Sequence, residues 1–141
     1  MKRNASARWE GDLENGRGTL SSDSGVLSDT PYSFKTRFAD EPGTNPEELL
    51  GAAHAGCFSM ALSLMLGEDD LKAERIETKA TVQLDEVEGG FAISRVHLVC
   101  RARVPGADES RFRKAADAAK AECPVSKALS TEISLDAALE E

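Results

Sequence analysis

The chain has 141 residues, 40% of them hydrophobic, and a formal net charge of −8 at pH 7. That length fits one compact domain, residues 1–141, and the hydrophobic fraction is enough for a real core and argues against disorder. The acidic balance argues against a nucleic-acid binder, which needs clustered Lys and Arg, and against anionic membrane surfaces. It leaves neutral or weakly polar substrates, although solubility alone also accounts for it.

Met1-Lys2-Arg3-Asn4 is a basic start with no apolar run behind it. It does not read as a secretory signal, so a cytoplasmic protein is expected. Ala5, Ala7 and Trp9 alternate with polar residues, the period of a half-buried strand. Gly11-Asp12 and Asn15-Gly16 signal turns, residues 18–22 fit a second short strand, and Gly25 marks a turn or bulge. Tyr32, Phe34, Thr36 and Phe38 then alternate with Ser33, Lys35 and Arg37. That pattern predicts a strand with Arg37 on the face opposite the two phenylalanines, completing an antiparallel N-terminal sheet.

After a polar loop over residues 39–44, Asn45-Pro46-Glu47-Glu48 reads as a helix start. Asn45 is the N-cap, Pro46 suits the first helical position, Glu48 completes a capping-box pattern, and both glutamates favour the positive helix end. The helix is expected to run to about Leu66, with Gly67 ending it. Its small residues (Gly51, Ala52, Ala53, Ala55, Gly56) allow close backbone approach, and its larger apolar residues lie on several faces. A helix apolar nearly all round is buried on nearly all sides, which in so short a chain implies a partner subunit. Residues 49–66 approach the length of a membrane span. Internal Gly, Ser and His, acidic residues at both ends and the lack of a basic flank favour a buried helix of a soluble protein.

Residues 75–86 and 91–104 form a hairpin candidate around Glu88-Gly89-Gly90. A second helix is expected from Asp108 or Glu109 to Glu122, with Phe112, Ala115 and Ala119 along one side. Pro124 interrupts it and can open a short helix over 125–129, placing Cys123 at that helix's N-terminus. A last strand alternates Ile133, Leu135, Ala137 and Leu139. The order strands, helix, strands, helix, strand reads as α+β.

Three cysteines, Cys57, Cys100 and Cys123, are too few and too odd in number for a disulfide scaffold. Taken alone, Cys57 inside a buried helix reads as an inert core thiol, and Cys100 in a strand as filler. Cys123 differs, because a helix N-terminus stabilises a thiolate. No phosphate-binding glycine loop, Gly-x-Ser-x-Gly elbow or Cys-x-x-Cys is present. His54 and Cys57, one helical turn apart, could join Cys123 around zinc.

The stretch Thr44-Asn45-Pro46-Glu47-Glu48-Leu49-Leu50-Gly51-Ala52-Ala53-His54-Ala55-Gly56-Cys57-Phe58-Ser59-Met60 resembles the central helix of the OsmC/Ohr family, the osmotically induced and organic-hydroperoxide-resistance proteins. Ala121-Glu122-Cys123-Pro124-Val125-Ser126 resembles that family's second cysteine motif. Trp9-Glu10-Gly11, Gly25-Val26-Leu27 and Phe34-Lys35-Thr36-Arg37-Phe38 resemble its OsmC branch. The resemblance spans almost the whole chain. It implies antiparallel sheets around long central buried helices in an intertwined homodimer, with active sites built at the interface by both chains. It also implies a cysteine-based peroxidase acting on organic hydroperoxides, and more weakly on hydrogen peroxide, with no cofactor and no metal.

By motif, Cys57 is then the peroxidatic thiol and Cys123 the resolving thiol, linked in a disulfide during turnover. Glu47 is the glutamate after Asn-Pro, and Arg37 the arginine of the OsmC branch, with Arg8 and Arg17 as competitors for that role. An external dithiol reduces the disulfide; by resemblance it is a lipoyl group, though no residue demonstrates one. Phe58, Met60 and Met65, with Phe34 or Phe38, fit either the lining of an alkyl pocket or plain core. Two other classes stand beside the peroxidase: a non-catalytic thiol-based stress or ligand-binding protein of the same fold, and a structural zinc protein.

Overall fold

Trp9 and Tyr32 meet across Gly18 at the middle of the N-terminal sheet. In the computed structural model, which describes residues 1–141, the chain divides into two compact units, Met1–Leu49 and Leu50–Glu141. The first holds strands β1 (Ala5–Glu10), β2 (Arg17–Ser22) and β3 (Thr30–Tyr32), antiparallel in that order. Trp9 and Tyr32 both pair with Gly18, and their rings sit 5.5 Å apart at 55°. A Cβ at Gly18 would lie 2.4 Å from the Tyr32 ring and 2.7 Å from that of Trp9, so this approach requires glycine. The alternation of β1 is not half-buried within the chain, since all its residues are exposed.

The expected strand through Tyr32–Phe38 stops at Tyr32, and Phe34–Phe38 is a short helix, α1. Its cause is local. Thr36 N–H donates to Ser33 Oγ at 3.3 Å and Ser33 N–H donates to Thr36 Oγ1 at 2.9 Å, a reciprocal capping box that closes a helical turn. Phe34 and Phe38 are then four apart on one helix face, ring centroids 4.9 Å apart. Arg37 is therefore not opposite them; its guanidinium lies over the Phe38 ring at 5.2 Å.

Helix α2 (Pro46–Glu68) starts where expected. Asn45 Oδ1 accepts the Glu48 N–H at 2.8 Å, and Asn45 Nδ2 donates to Thr36 C=O at 3.2 Å, tying the cap to α1. The Glu48 carboxylate takes the Thr44 hydroxyl at 3.2 Å instead of closing the expected box.

In the second unit α2 buries one stripe, Gly51, His54, Phe58, Leu62 and Leu66. This is the i, i+3/i+4 spacing of a single helix face. The opposite side leaves Met60 78% and Leu64 63% exposed. Burial on nearly all sides is thus not achieved within one chain, because one sheet can cover only one stripe. By length and composition α2 would also cross a membrane; its buried stripe is that of a core helix.

Strands β4 (Arg75–Val87) and β5 (Gly90–Arg103) form the long hairpin, with a register shift between Gln83 and Leu84. Helix α3 (Glu109–Glu122) is capped by Asp108 and buries Phe112, Ala115, Ala116 and Ala119. Helix α4 (Pro124–Ala128) follows, then β6 (Glu132–Leu139), which adds to β5 in parallel, Cys100 opposite Ala137. A parallel partner requires a crossover, and α3 with α4 provides it. Phe58, Leu62 and Leu66 of α2, Val96, Leu98, Cys100 and Ala102 of β5, and the buried face of α3 belong to one core.

Candidate active site

Two cysteines converge in the second unit. Cys57 comes from the middle of α2 and is half-buried; Cys123 comes from the α3–α4 junction and is fully buried. Pro124 creates that junction, because it has no N–H to continue α3 and suits the first position of α4. The Cys123 N–H still donates to Ala119 C=O at 3.0 Å, and its C=O accepts the Lys127 N–H at 3.0 Å, so both backbone groups are held. The two free thiols lie near enough for each to shift the other's titration.

Their environments are unequal. Burial pushes the Cys57 thiol up, and its bond to Cys123 adds to that, against one favourable contact from the Val125 N–H. Burial also works against the Cys123 thiolate. There it is outweighed by the Cys57 thiol, the Ser126 N–H and hydroxyl, and the Val125 N–H, and the Cys123 pKa comes down. Of the two thiols, Cys123 is therefore the one that ionises more readily.

Sequence reasoning leaves His54 without a role in the peroxidase and gives Ser126 none at all. His54, one turn before Cys57 on α2, is fully buried, and its Nε2 is 2.7 Å from Ser126 Oγ. Its Nδ1 has no hydrogen-bond partner. Burial lowers the imidazole's pKa, so the ring is neutral. A signal does exist: Ser126 lies three residues after Cys123, where an N3 side chain meets its cap residue.

Arg37 and Glu47 form a second pair, within the first unit. Arg37 Nη2 donates to Glu47 Oε1 at 2.7 Å, and Nε donates to both carboxylate oxygens at 3.1 and 3.2 Å. Arg8 and Arg17 instead pair with Glu10, at 2.8 and 3.5 Å, with side chains 78% and 85% exposed. Cys100 is buried in β5, and burial raises its pKa against weaker help from Thr78 and Arg101.

No group of three or more His, Cys, Asp or Glu side chains converges in a way that could hold a metal ion. His54, which the zinc reading needs, has its Nε2 engaged by Ser126. Of the side chains offered for an alkyl pocket or plain core, Phe58 lies in the core, Met65 packs against it and Met60 is exposed. An open concavity of about 920 Å³ in the first unit, lined among others by Arg8, Arg17, Tyr32 and Lys35, contains neither cysteine.

The OsmC family, described as OsmC-like protein, matches residues 39–138. Peroxiredoxin OsmC of Escherichia coli (strain K12) is 57% identical over 130 residues, covering 92% of this chain and 91% of its own. Organic hydroperoxide resistance protein OhrB of Bacillus subtilis (strain 168) is 34% identical over 112 residues, covering 79% and 80%. The crystal structure of OhrB of Bacillus subtilis superposes with a TM-score of 0.68 at 28% identity, over 97% of this chain and 98% of its own. The OsmC-like protein from Mycoplasma pneumoniae superposes at 0.76 over 100% and 99%; at 17% identity this is a likeness of fold alone.

Proposed function

From a chain that belongs to the OsmC family, we propose a thiol-dependent peroxidase that reduces organic hydroperoxides, with Cys57 attacking and Cys123 resolving. The observation that carries this reading is the meeting of the two free thiols, Cys57 from α2 and Cys123 from the α3–α4 junction, near enough for each to shift the other's titration.

In this reading the thiol pair enters with one proton between them; Cys123 holds it while Cys57 attacks one peroxide oxygen as the thiolate. The O–O bond breaks, and the departing alkoxide takes the proton from Cys123 and leaves as an alcohol. Cys57 is now a sulfenic acid and Cys123 again a thiolate. Cys123 attacks the Cys57 sulfur, the S–O bond breaks, hydroxide leaves to be protonated by solvent, and a disulfide remains. An external dithiol returns two electrons and two protons, a lipoyl group being one candidate.

Ionisation alone does not make a peroxidase. A thiol with a pKa of about 8.5 is a few per cent ionised near neutrality, so complete ionisation gains roughly 30-fold, about 2 kcal/mol. Lower basicity takes some of that back. Stabilising the charge on the leaving oxygen contributes more, roughly 10²–10³-fold for one well-placed donor. Arg37 is proposed for this task, because a guanidinium is always charged and offers a fixed fork of donors, and Glu47 holds that fork.

The apolar exposed face of α2, with Met60 and Leu64, supports a homodimer in which both chains build each site. The family match runs across the boundary of the two units, which supports one OsmC-like domain over residues 1–141. A cytoplasmic location belongs to the same proposal.

The test is consumption of an organic hydroperoxide with a small dithiol. Wild-type protein should turn over repeatedly, and Cys57→Ser should not, the hydroxyl being near-isosteric but a far weaker nucleophile. Substantial turnover by a folded Cys57→Ser would overturn the assignment.

A further inference from the structure

We propose that His54 and Ser126 form a positioning relay that holds Cys123 ready as the nucleophile of the disulfide-forming step. This inference rests on the reading of Cys57 and Cys123 as peroxidatic and resolving thiols. Four side chains cluster here: His54 Nε2 meets Ser126 Oγ at 2.7 Å, Cys57 lies one turn after His54 on α2, and Ser126 lies one turn after Cys123 at the start of α4, where its hydroxyl favours the Cys123 thiolate.

Counting protons gives the series a direction. A serine hydroxyl has one proton to donate. Cys123 must be a thiolate when it attacks in the disulfide-forming step, and a thiolate can only accept, so there Ser126 gives it that proton and must accept from His54. His54 is then the tautomer with its proton on Nε2, and Nδ1 is a bare lone pair. That agrees with Nδ1 being the one buried side-chain nitrogen or oxygen without a partner. The donors therefore run head to tail from His54 through Ser126 toward the Cys123 sulfur, an arrangement in which each bond polarises the next. Keeping a half-satisfied imidazole in a fully buried position costs stability that an apolar side chain would not.

Because the relay favours charge on Cys123, it opposes the first chemical step and assists the second. A contact that only filled the core would not divide the two steps. Single-turnover kinetics with one equivalent of an organic hydroperoxide, following the sulfenic acid with a dimedone-type probe and the disulfide by mass spectrometry, separates them. In His54→Leu and Ser126→Ala, sulfenate formation should be as fast as in wild type or faster. Disulfide formation should slow about tenfold, the factor that corresponds to roughly 1.4 kcal/mol, and labelled sulfenate should accumulate. His54→Gln, which keeps a donor at the Nε2 end, should recover most of the disulfide-forming rate.

Ser126→Ala removes a single oxygen and carries the test if His54→Leu does not fold. Folded Ser126→Ala that closes the disulfide at the wild-type rate overturns the relay, as does His54→Gln no faster than a folded His54→Leu. Failure of the wild-type protein to form any disulfide would overturn the underlying functional reading, and shows separately in that control.

Discussion

Arg37 grips the Glu47 carboxylate through two nitrogens, Nη2 at 2.7 Å from Oε1 and Nε within 3.2 Å of both oxygens. The two side chains are unequally wet: Arg37 is 36% exposed and Glu47 only 11%. Removing each should therefore cost different amounts. Arg37→Met strands a nearly buried carboxylate and should lower stability by about 1–2 kcal/mol, discounted from the value for a fully buried pair because Arg37 reaches water. Glu47→Gln leaves an arginine that can rehydrate, and should cost under about 1 kcal/mol. Urea unfolding of the two variants measures this. A larger loss for Glu47→Gln would contradict the burial argument.

Gly18→Ala should disrupt the aromatic pair of the N-terminal sheet. A methyl there would sit 2.4 Å from the Tyr32 ring and 2.7 Å from Trp9, so the rings or the strands must part, at about 1–3 kcal/mol. Trp9 is the only tryptophan, and its fluorescence reports the change without interference. Unchanged emission together with an unchanged unfolding midpoint would show that the sheet gives way more easily than the contacts imply.

Acid should weaken the fold through His54. Burial holds its pKa below the ordinary 6.5. Between the lowered folded value and 6.5 the unfolded chain binds a proton that the folded chain refuses. Stability is thus fully present above the unfolded value and is lost as pH falls through about 6.5 toward the folded one. Unfolding free energies measured from about pH 7.5 down to about pH 5 should fall more steeply for wild type than for His54→Gln. Identical slopes would mean that His54 titrates normally.

Much of the chain is legible in the sequence because its signals are local. Asn45-Pro46-Glu47, Asp108 and Pro124 start helices by capping and by φ restriction within one turn, and Gly89-Gly90 turns a hairpin in the same way. Phe34 and Phe38 mislead because a spacing of four fits both a strand face and a helix face. The Ser33–Thr36 capping box decides between them, and its residues stand in the sequence for alternation to overshadow. The sidedness of α2 cannot be read, since a helix apolar all round gives no stripe; the β4–β5–β6 sheet selects Phe58 over Met60. The parallel placement of β6 depends on how α3 and α4 cross over, which no pattern within β6 records. Cys57 and Cys123 are named together by motif and lie as neighbouring free thiols in the structure. His54 and Ser126 meet only because those same two motifs do, a contact between distant positions that neither segment reveals alone.

The central claim is that Cys57 and Cys123 work as one redox pair, and peptide mapping by mass spectrometry after one equivalent of an organic hydroperoxide tests it most directly. Wild-type protein should show a Cys57–Cys123 linkage with Cys100 still a free thiol, and Cys123→Ser should instead show a trapped sulfenic acid on Cys57. A wild-type protein whose Cys57 and Cys123 remain unlinked, or one that links either of them to Cys100, would contradict the account.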